Sequence, residues 1–241
     1  MNDSDNGAGA GEDASARAAR DVAGLPPAPE VTQIEVGLVQ NFCEILRCPE
    51  TGEAAIVDPA WEVDRLLRAA ADQGARIAWI LVTHTHVDHI EGVGELARRT
   101  GARVVVSPRE AAALRAAAGG DAPLELVEAT DRRDIAIGRR GVRALDTPGH
   151  TVGGVAYLAD GFIVTGDLLF VGGCGRTDFP GGDTAAMWRS LQRIAALPEE
   201  TRVYPGHDYG PTATSTIAQE LRANPYLRCA TFEEFRARRE R

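Results

Sequence analysis

The segment RIAWILV, residues 76–82, is almost wholly apolar, and it runs straight into THTHVDHIEGV, residues 83–93. An apolar run of that length reads as a strand buried on both faces. His84, His86, Asp88 and His89 then fall within six residues, in a chain that has only five histidines. A buried strand that delivers such a group at its C-terminal end calls for a fold in which strand ends gather a ligand, as α/β folds do. In extended backbone, side chains two apart share a side, so His84 and His86 can aim at one point. A helix starting just after them places Asp88 and His89 on its first turn.

The other two histidines occupy equivalent places. His150 in DTPGHTVGG and His207 in VYPGHDYG each follow a β-like run and a Pro-Gly pair, which lets the backbone bend sharply. Asp167, in IVTGDLLF, also closes a strand-like run. Imidazole with carboxylate favours zinc or iron over magnesium or calcium. Five histidines and two aspartates exceed the ligands of one zinc ion, so two ions sharing a carboxylate fit the count. The competing reading makes each histidine separately structural, and it needs five independent reasons for a histidine at a strand end.

Around these positions short β-like runs alternate with amphipathic stretches. NFCEIL, AAIVDP, ARVVVSP, LELV, IAIG, GVRALDT, GVAYLA, FIVTG and RVYP read as strands. WEVDRLLRAAADQG, HIEGVGELARRTG, PREAAALRAAAGG, DTAAMWRSLQRIAALP (with Asp183 as N-cap), ATSTIAQELRAN and TFEEFRARRER read as helices. The mixture predicts an α/β fold of two sheets covered outside by helices.

Composition narrows the function. Of 241 residues, 44% are hydrophobic and 25% charged, and no apolar run reaches the length of a membrane span. The N-terminus lacks the apolar segment of a secretory signal, and Cys43, Cys48, Cys174 and Cys229 form no C-x-x-C pair, so reduced thiols in the cytoplasm are expected. Residues 1–30, rich in Ala, Gly, Asp and Pro, read as a disordered tail, which leaves residues 31–241 as one catalytic domain. The tail carries six acids against two arginines. Of the chain's net charge of −9, about −5 therefore falls on the rest, which argues against a nucleic-acid groove. The chain has no lysine, which rules out a Schiff-base lysine and the lysine of a phosphate-binding loop. Homo-oligomerisation stays open.

The order H-x-H-x-D-H, then His150, Asp167 and His207, resembles the metallo-β-lactamase superfamily over nearly the whole chain from about residue 31. The resemblance implies a four-layer αββα sandwich with two metals in a cleft between sheet edges. His84, His86 and His150 would hold one metal and Asp88, His89 and His207 the other, with Asp167 between them. Asp88 would also serve catalysis, and Asp58, in VDPA, matches an acid that supports a ligand from behind. The segment GGCGRTDFPGGD, residues 172–183, is similar to glyoxalase II, a thioesterase acting on acyl-glutathione, and to the persulfide dioxygenases, which oxidise glutathione persulfide. Both place Arg176 and Tyr209 near a thiol substrate.

The chain departs from each. Glyoxalase II has aromatic residues where Thr177 and Asp178 stand, and a longer C-terminal helical region. The dioxygenases share GCGRTDF, HDY and Asn224-Pro225, but carry a glutamine pair where Pro180-Gly181-Gly182 follows. The opening VGLVQNFCEIL looks more like small glyoxalase-type hydrolases. The expectation is therefore a hydrolase of acyl-glutathione-type thioesters with two divalent ions, zinc or iron, and a metal-activated water. One alternative is a persulfide dioxygenase with a single Fe(II) on His84, His150 and Asp167. The other is a metal-binding module without catalysis.

Overall fold

The structure, a computed structural model, describes residues 14–118 and 124–240. Two six-stranded sheets face each other. The first has the order β1 (Glu30–Val36), β2 (Asn41–Arg47), β3 (Glu53–Val57), β4 (Arg76–Leu81), β5 (Arg103–Val106), β6 (Leu126–Glu128). Pairing is antiparallel from β1 to β3 and parallel from β3 to β6. The second sheet has the order β14 (Ser215–Thr216), β13 (Arg202–Pro205), β10 (Phe162–Gly166), β9 (Val155–Ala159), β8 (Arg140–Asp146), β7 (Asp134–Ile137). There only β10 and β13 run parallel. A small hairpin, β11 (Leu169–Phe170) with β12 (Gly173–Cys174), follows β10.

The layers follow from the period of two along each strand. Ile45, Ile56, Ile80 and Val104 point outward from the first sheet. They pack on Leu66 of α2 (Val63–Asp72), Leu96 of α4 (Val93–Thr100) and Leu114 of α5 (Ala111–Ala117). Their neighbours Leu46, Val57, Leu81 and Val105 point inward and meet Ile137, Val142, Tyr157 and Val164 of the second sheet. The second sheet's outer face, with Leu145, Leu158, Ile163 and Val203, is covered by α1 (Ala14–Val22), α6 (Thr184–Ala195), α7 (Ile217–Ala223) and α8 (Phe232–Arg239). The result is the four-layer αββα sandwich. Asp183 caps α6 as expected, accepting from Ala186 N at 2.8 Å.

Two expectations change. The helix read across HIEGVGELARRTG is broken into α3 (Val87–Ile90) and α4. Gly92, between them, passes so close to Pro59 that a Cβ there would lie 2.7 Å from its carbonyl oxygen. The tail reading fails for residues 14–30, while residues 1–13 lie outside the described residues. Helix α1 packs Ala18 into the outer core and buries Asp21 completely. Asp21 takes two hydrogen bonds from Arg193 at 2.6 and 2.7 Å and one from Arg132 at 2.9 Å. Its carbonyl accepts from Arg143 at 2.9 Å. Residues 30–36 then form the edge strand β1.

Candidate metal centre

Every candidate ligand leaves a strand at the same edge of the sandwich. His84, His86, Asp88 and His89 follow β4, His150 follows β8, Asp167 follows β10, and His207 follows β13. His86 is the N-cap of α3, which brings Asp88 and His89 round in one turn. The Pro-Gly turns bring the last two histidines close. Gly206 has no room for a side chain, because a Cβ there would lie 2.6 Å from Asp167 Oδ1 and 3.0 Å from His89 Cε1.

Two triads result. One ligand atom each from His84, His86 and His150 lies within 4.8 Å of the others, and so do those of Asp88, His89 and His207. In the first triad His86 Nδ1 is 3.1 Å from His84 Nε2 and 2.9 Å from His150 Nε2. In the second, His89 Nε2 and His207 Nε2 face each other at 3.2 Å, with Asp88 Oδ2 3.6 and 3.5 Å away. Asp167 lies between, with Oδ1 at 3.3 Å from His89 and 3.4 Å from His207, and Oδ2 at 3.4 Å from His150.

Hydrogen bonds behind the rings decide which nitrogens carry protons. His150 Nδ1 donates to the Arg176 carbonyl at 2.7 Å, and His207 Nδ1 to the Val39 carbonyl at 2.9 Å. His89 Nδ1 donates to Asp58 Oδ2 at 2.9 Å. Thr83 spends its hydroxyl proton on Asp58 at 2.5 Å and therefore accepts from His84 Nδ1 at 3.0 Å. All four Nε2 atoms thus turn bare lone pairs inward. Asp167 Oδ1, buried beside two of them, has no hydrogen-bond donor. Inward-facing imidazole nitrogens around a buried carboxylate oxygen without a donor are the chemistry of a cation site, and these residues fit one.

Charge follows the same logic. Burial, then the proximity of His89, holds His84 well below the ordinary imidazole value. Burial and His150 lower His86. Burial opposes a charge on His89 too, but Asp167 and Asp58 outweigh it and raise its pKa well above the ordinary value. Burial also opposes ionisation of Asp167, yet the surrounding histidines hold its carboxyl well below the usual range. In the ion-free centre a proton on His89 balances these carboxylates, and a divalent ion would take that proton's place.

Asp58 occupies the supporting position that the resemblance assigns it. Its Oδ1 accepts from Thr83 N at 2.7 Å, it is buried, and its φ of 42° is strained for a non-glycine residue. Three supports gave no sequence signal. Asn41 Nδ2 donates to Asp88 Oδ2 at 3.3 Å, across 47 residues. Thr83 links Asp58 to His84. Glu110 joins the His84 and His150 loops, bonding Thr85 Oγ1 and accepting from Gly153 N at 3.0 Å.

His86, Asp88, His150, Asp167 and His207 open into a cavity of about 880 Å³, which Arg176 and Tyr209 also line. Tyr209 stacks on His207 with ring centroids 4.5 Å apart. Arg176 is not a free cation. It makes two hydrogen bonds to Asp178, at 2.9 and 2.7 Å, and its guanidinium lies 4.2 Å from the centroid of Phe179.

Residues 36–207 match the family model described as the metallo-β-lactamase superfamily. A hydroxyacylglutathione hydrolase of Methylobacillus flagellatus is 37% identical over 210 residues, covering 74% of this chain and 80% of that protein. A beta-lactamase hydrolase-like protein of Agrobacterium fabrum is 33% identical over 221 residues and 80% of this chain, although the chain spans only 51% of its length. Among solved structures, ETHE1 from Myxococcus xanthus superposes with a TM-score of 0.78 at 34% identity, covering 88% of this chain and 90% of that one.

Proposed function

The chain belongs to the metallo-β-lactamase superfamily, and within it we propose a hydrolase that cleaves acyl-glutathione-type thioesters at a two-ion centre. The observation that carries this reading is the second triad. His89 is held from behind by Asp58, His207 by the Val39 carbonyl and Asp88 by Asn41. A single-ion oxygenase on His84, His150 and Asp167 makes no use of that apparatus. His84, His86 and His150 would hold one ion, Asp88, His89 and His207 the other, with Asp167 shared.

Two divalent ions there, zinc or iron, would supply an activated water nucleophile and an electrophile for the thioester oxygen. The chain's own residues do the rest. Asp88, part-exposed on the cavity wall, offers a carboxylate to hold the proton of the attacking water. Phe170, Phe179 and Tyr226 line the cavity and give the reacting carbonyl an apolar flank. The water oxygen joins the acyl carbon, the C–S bond breaks, and the departing thiolate takes up the proton. A thiolate of ordinary pKa leaves without a dedicated acid.

The name of the Methylobacillus relative supports a glutathione thioester as substrate. Tyr209 stands where it can pack on the thiol half. Arg176 acts mainly through Asp178 and Phe179, and would have to exchange Asp178 to clamp a carboxylate. We assign the protein to the cytoplasm. Its four cysteines are free, and no helix among the described residues is long and apolar enough to cross a membrane.

A second reading, persulfide dioxygenation at one iron, is favoured by the GCGRTDF segment and by the likeness to ETHE1. Hydrolysis of S-acylglutathiones, S-lactoylglutathione among them, without oxygen uptake supports the hydrolase. Oxygen uptake that begins only on addition of glutathione persulfide, with no thioester cleavage, replaces it with the dioxygenase.

A further inference from the structure

Among the described residues, the exposed large apolar side chains are Leu38, Val39, Val87, Val152, Phe179 and Tyr209. They are not scattered, as such residues normally are on a soluble protein. Val87, Phe179 and Tyr209 line the cavity itself. Val39 presents the carbonyl that holds His207, and Leu38, fully exposed, precedes it. Val152 lies two residues beyond His150. Three of the six thus line the cavity, and the other three lie in the segments that carry His150 or hold His207.

The cavity wall is otherwise neutral. Apart from the ligands its lining includes Phe170, Pro180, Tyr226 and a run of glycines. Its one cationic side chain is Arg176, already paired to Asp178. Phe179 is held in place rather than loose. Arg176 covers its ring at 4.2 Å, and it meets His86 edge to face at 5.6 Å. A preset aromatic ring beside one ligand triad is a surface for an apolar group attached to the reacting carbonyl.

We propose that the acyl half of the substrate is a bulky apolar group, a medium-chain or arylalkanoyl group, seated against Phe179 and Val87. This rests on the thioesterase reading above. The assignment to the acyl half follows from chemistry. The thiol carriers of biological thioesters, such as glutathione and pantetheine derivatives, are polar beyond the sulfur, so an apolar wall fits the other side of the bond. The reaction balances as before: water and the thioester give the apolar carboxylic acid and the free thiol.

The test holds the thiol half constant. Rates are measured for S-lactoyl-, S-acetyl-, S-hexanoyl- and S-phenylacetylglutathione on metal-replete enzyme. Each buried methylene is worth roughly a threefold to fourfold gain, so kcat/KM should be at least about tenfold higher for hexanoyl than for acetyl. Phe179→Ala and Val87→Ser should each collapse the hexanoyl-to-acetyl ratio. Calorimetry with S-methyl- and S-hexylglutathione, which are not hydrolysed, should show the hexyl compound binding at least about tenfold tighter, and Phe179→Ala should abolish the difference. Hydrolysis that is as fast or faster with lactoyl or acetyl overturns the apolar assignment and leaves the thioesterase reading standing. A hexyl preference in binding without hydrolysis of any thioester overturns the thioesterase reading and keeps the apolar ligand. Equal binding of the two thioethers overturns the proposal outright.

Discussion

Asp21 ties the N-terminal helix to the body of the protein, and replacing it should cost far more than an exposed acid would. Asp21 and Arg193 are both almost wholly inaccessible, at 0% and 2% side-chain exposure. Asp21→Ala leaves the Arg193 guanidinium buried with Asp131, at 2.7 Å, and the Asp146 carbonyl, at 3.1 Å, as its remaining partners. Breaking a buried ion pair by removing one partner costs about 3–5 kcal/mol. Asp131 retains part of the charge, so the lower end, about 3 kcal/mol, is expected. At roughly 2–4 °C per kcal/mol for a chain of this size, Tm should fall by about 6–12 °C. Burial opposes ionisation of Asp21, but Arg193 and Arg132 more than offset it and hold its pKa below the ordinary 3.8. A lowered folded value means the contribution is complete above pH 3.8 and fades as pH falls below it. The deficit of the variant should therefore shrink in acid. Removing the orphaned charge as well, in Asp21→Ala/Arg193→Met, should recover part of the loss. Thermal unfolding followed by circular dichroism measures all of this. A Tm within about 1 °C of the parent at neutral pH would refute the argument, and with it the docking of α1.

Glu44 is buried in β2, and burial pushes its pKa up to about 8 from 4.5 despite a hydrogen bond from Gln33. A raised folded value means stability is full below 4.5 and falls as pH climbs toward 8, on the order of 1 kcal/mol per pH unit. Glu44→Gln should flatten that slope in denaturant titrations, and an unchanged slope would exclude Glu44 as its source. Asp58→Ala frees His89 Nδ1 directly and His84 only through Thr83, so it should weaken binding of the second ion roughly 10–100-fold and of the first ion less, as read by competition with a chromophoric chelator. Equal loss of both ions would show that Asp58 acts on the whole fold. Asn41→Ala should lower kcat more than KM by releasing Asp88, and an unchanged kcat would remove Asn41 from the site.

The clustering of the candidate ligands was legible in the sequence because their spacing is local. His84, His86, Asp88 and His89 are positioned by one strand end and one helical turn, and each remaining ligand follows its own strand. Both the alternation that builds the layers and the Asp183 cap are local too. What remained hidden was long-range. ASARAARDV reads as a solvated segment because its one buried acid is satisfied by Arg132 and Arg193, more than a hundred residues away. Asn41 and Glu110 are ordinary polar residues until folding sets them against Asp88 and Thr85. Arg176 carried the right signal for a cation in the pocket. The carboxylate that occupies it, Asp178, lay two residues on, where sequence alone does not show which way a loop turns.

We propose that this centre works with two ions. The most direct measurement strips the protein with a chelator and returns zinc or iron in steps, following bound metal and thioester hydrolysis together. Two ions per chain should bind, with little activity at the first equivalent and a rate that rises with occupancy of the second. Asp88→Ala should abolish that second step. Full activity at one ion per chain, unchanged by Asp88→Ala, would contradict it.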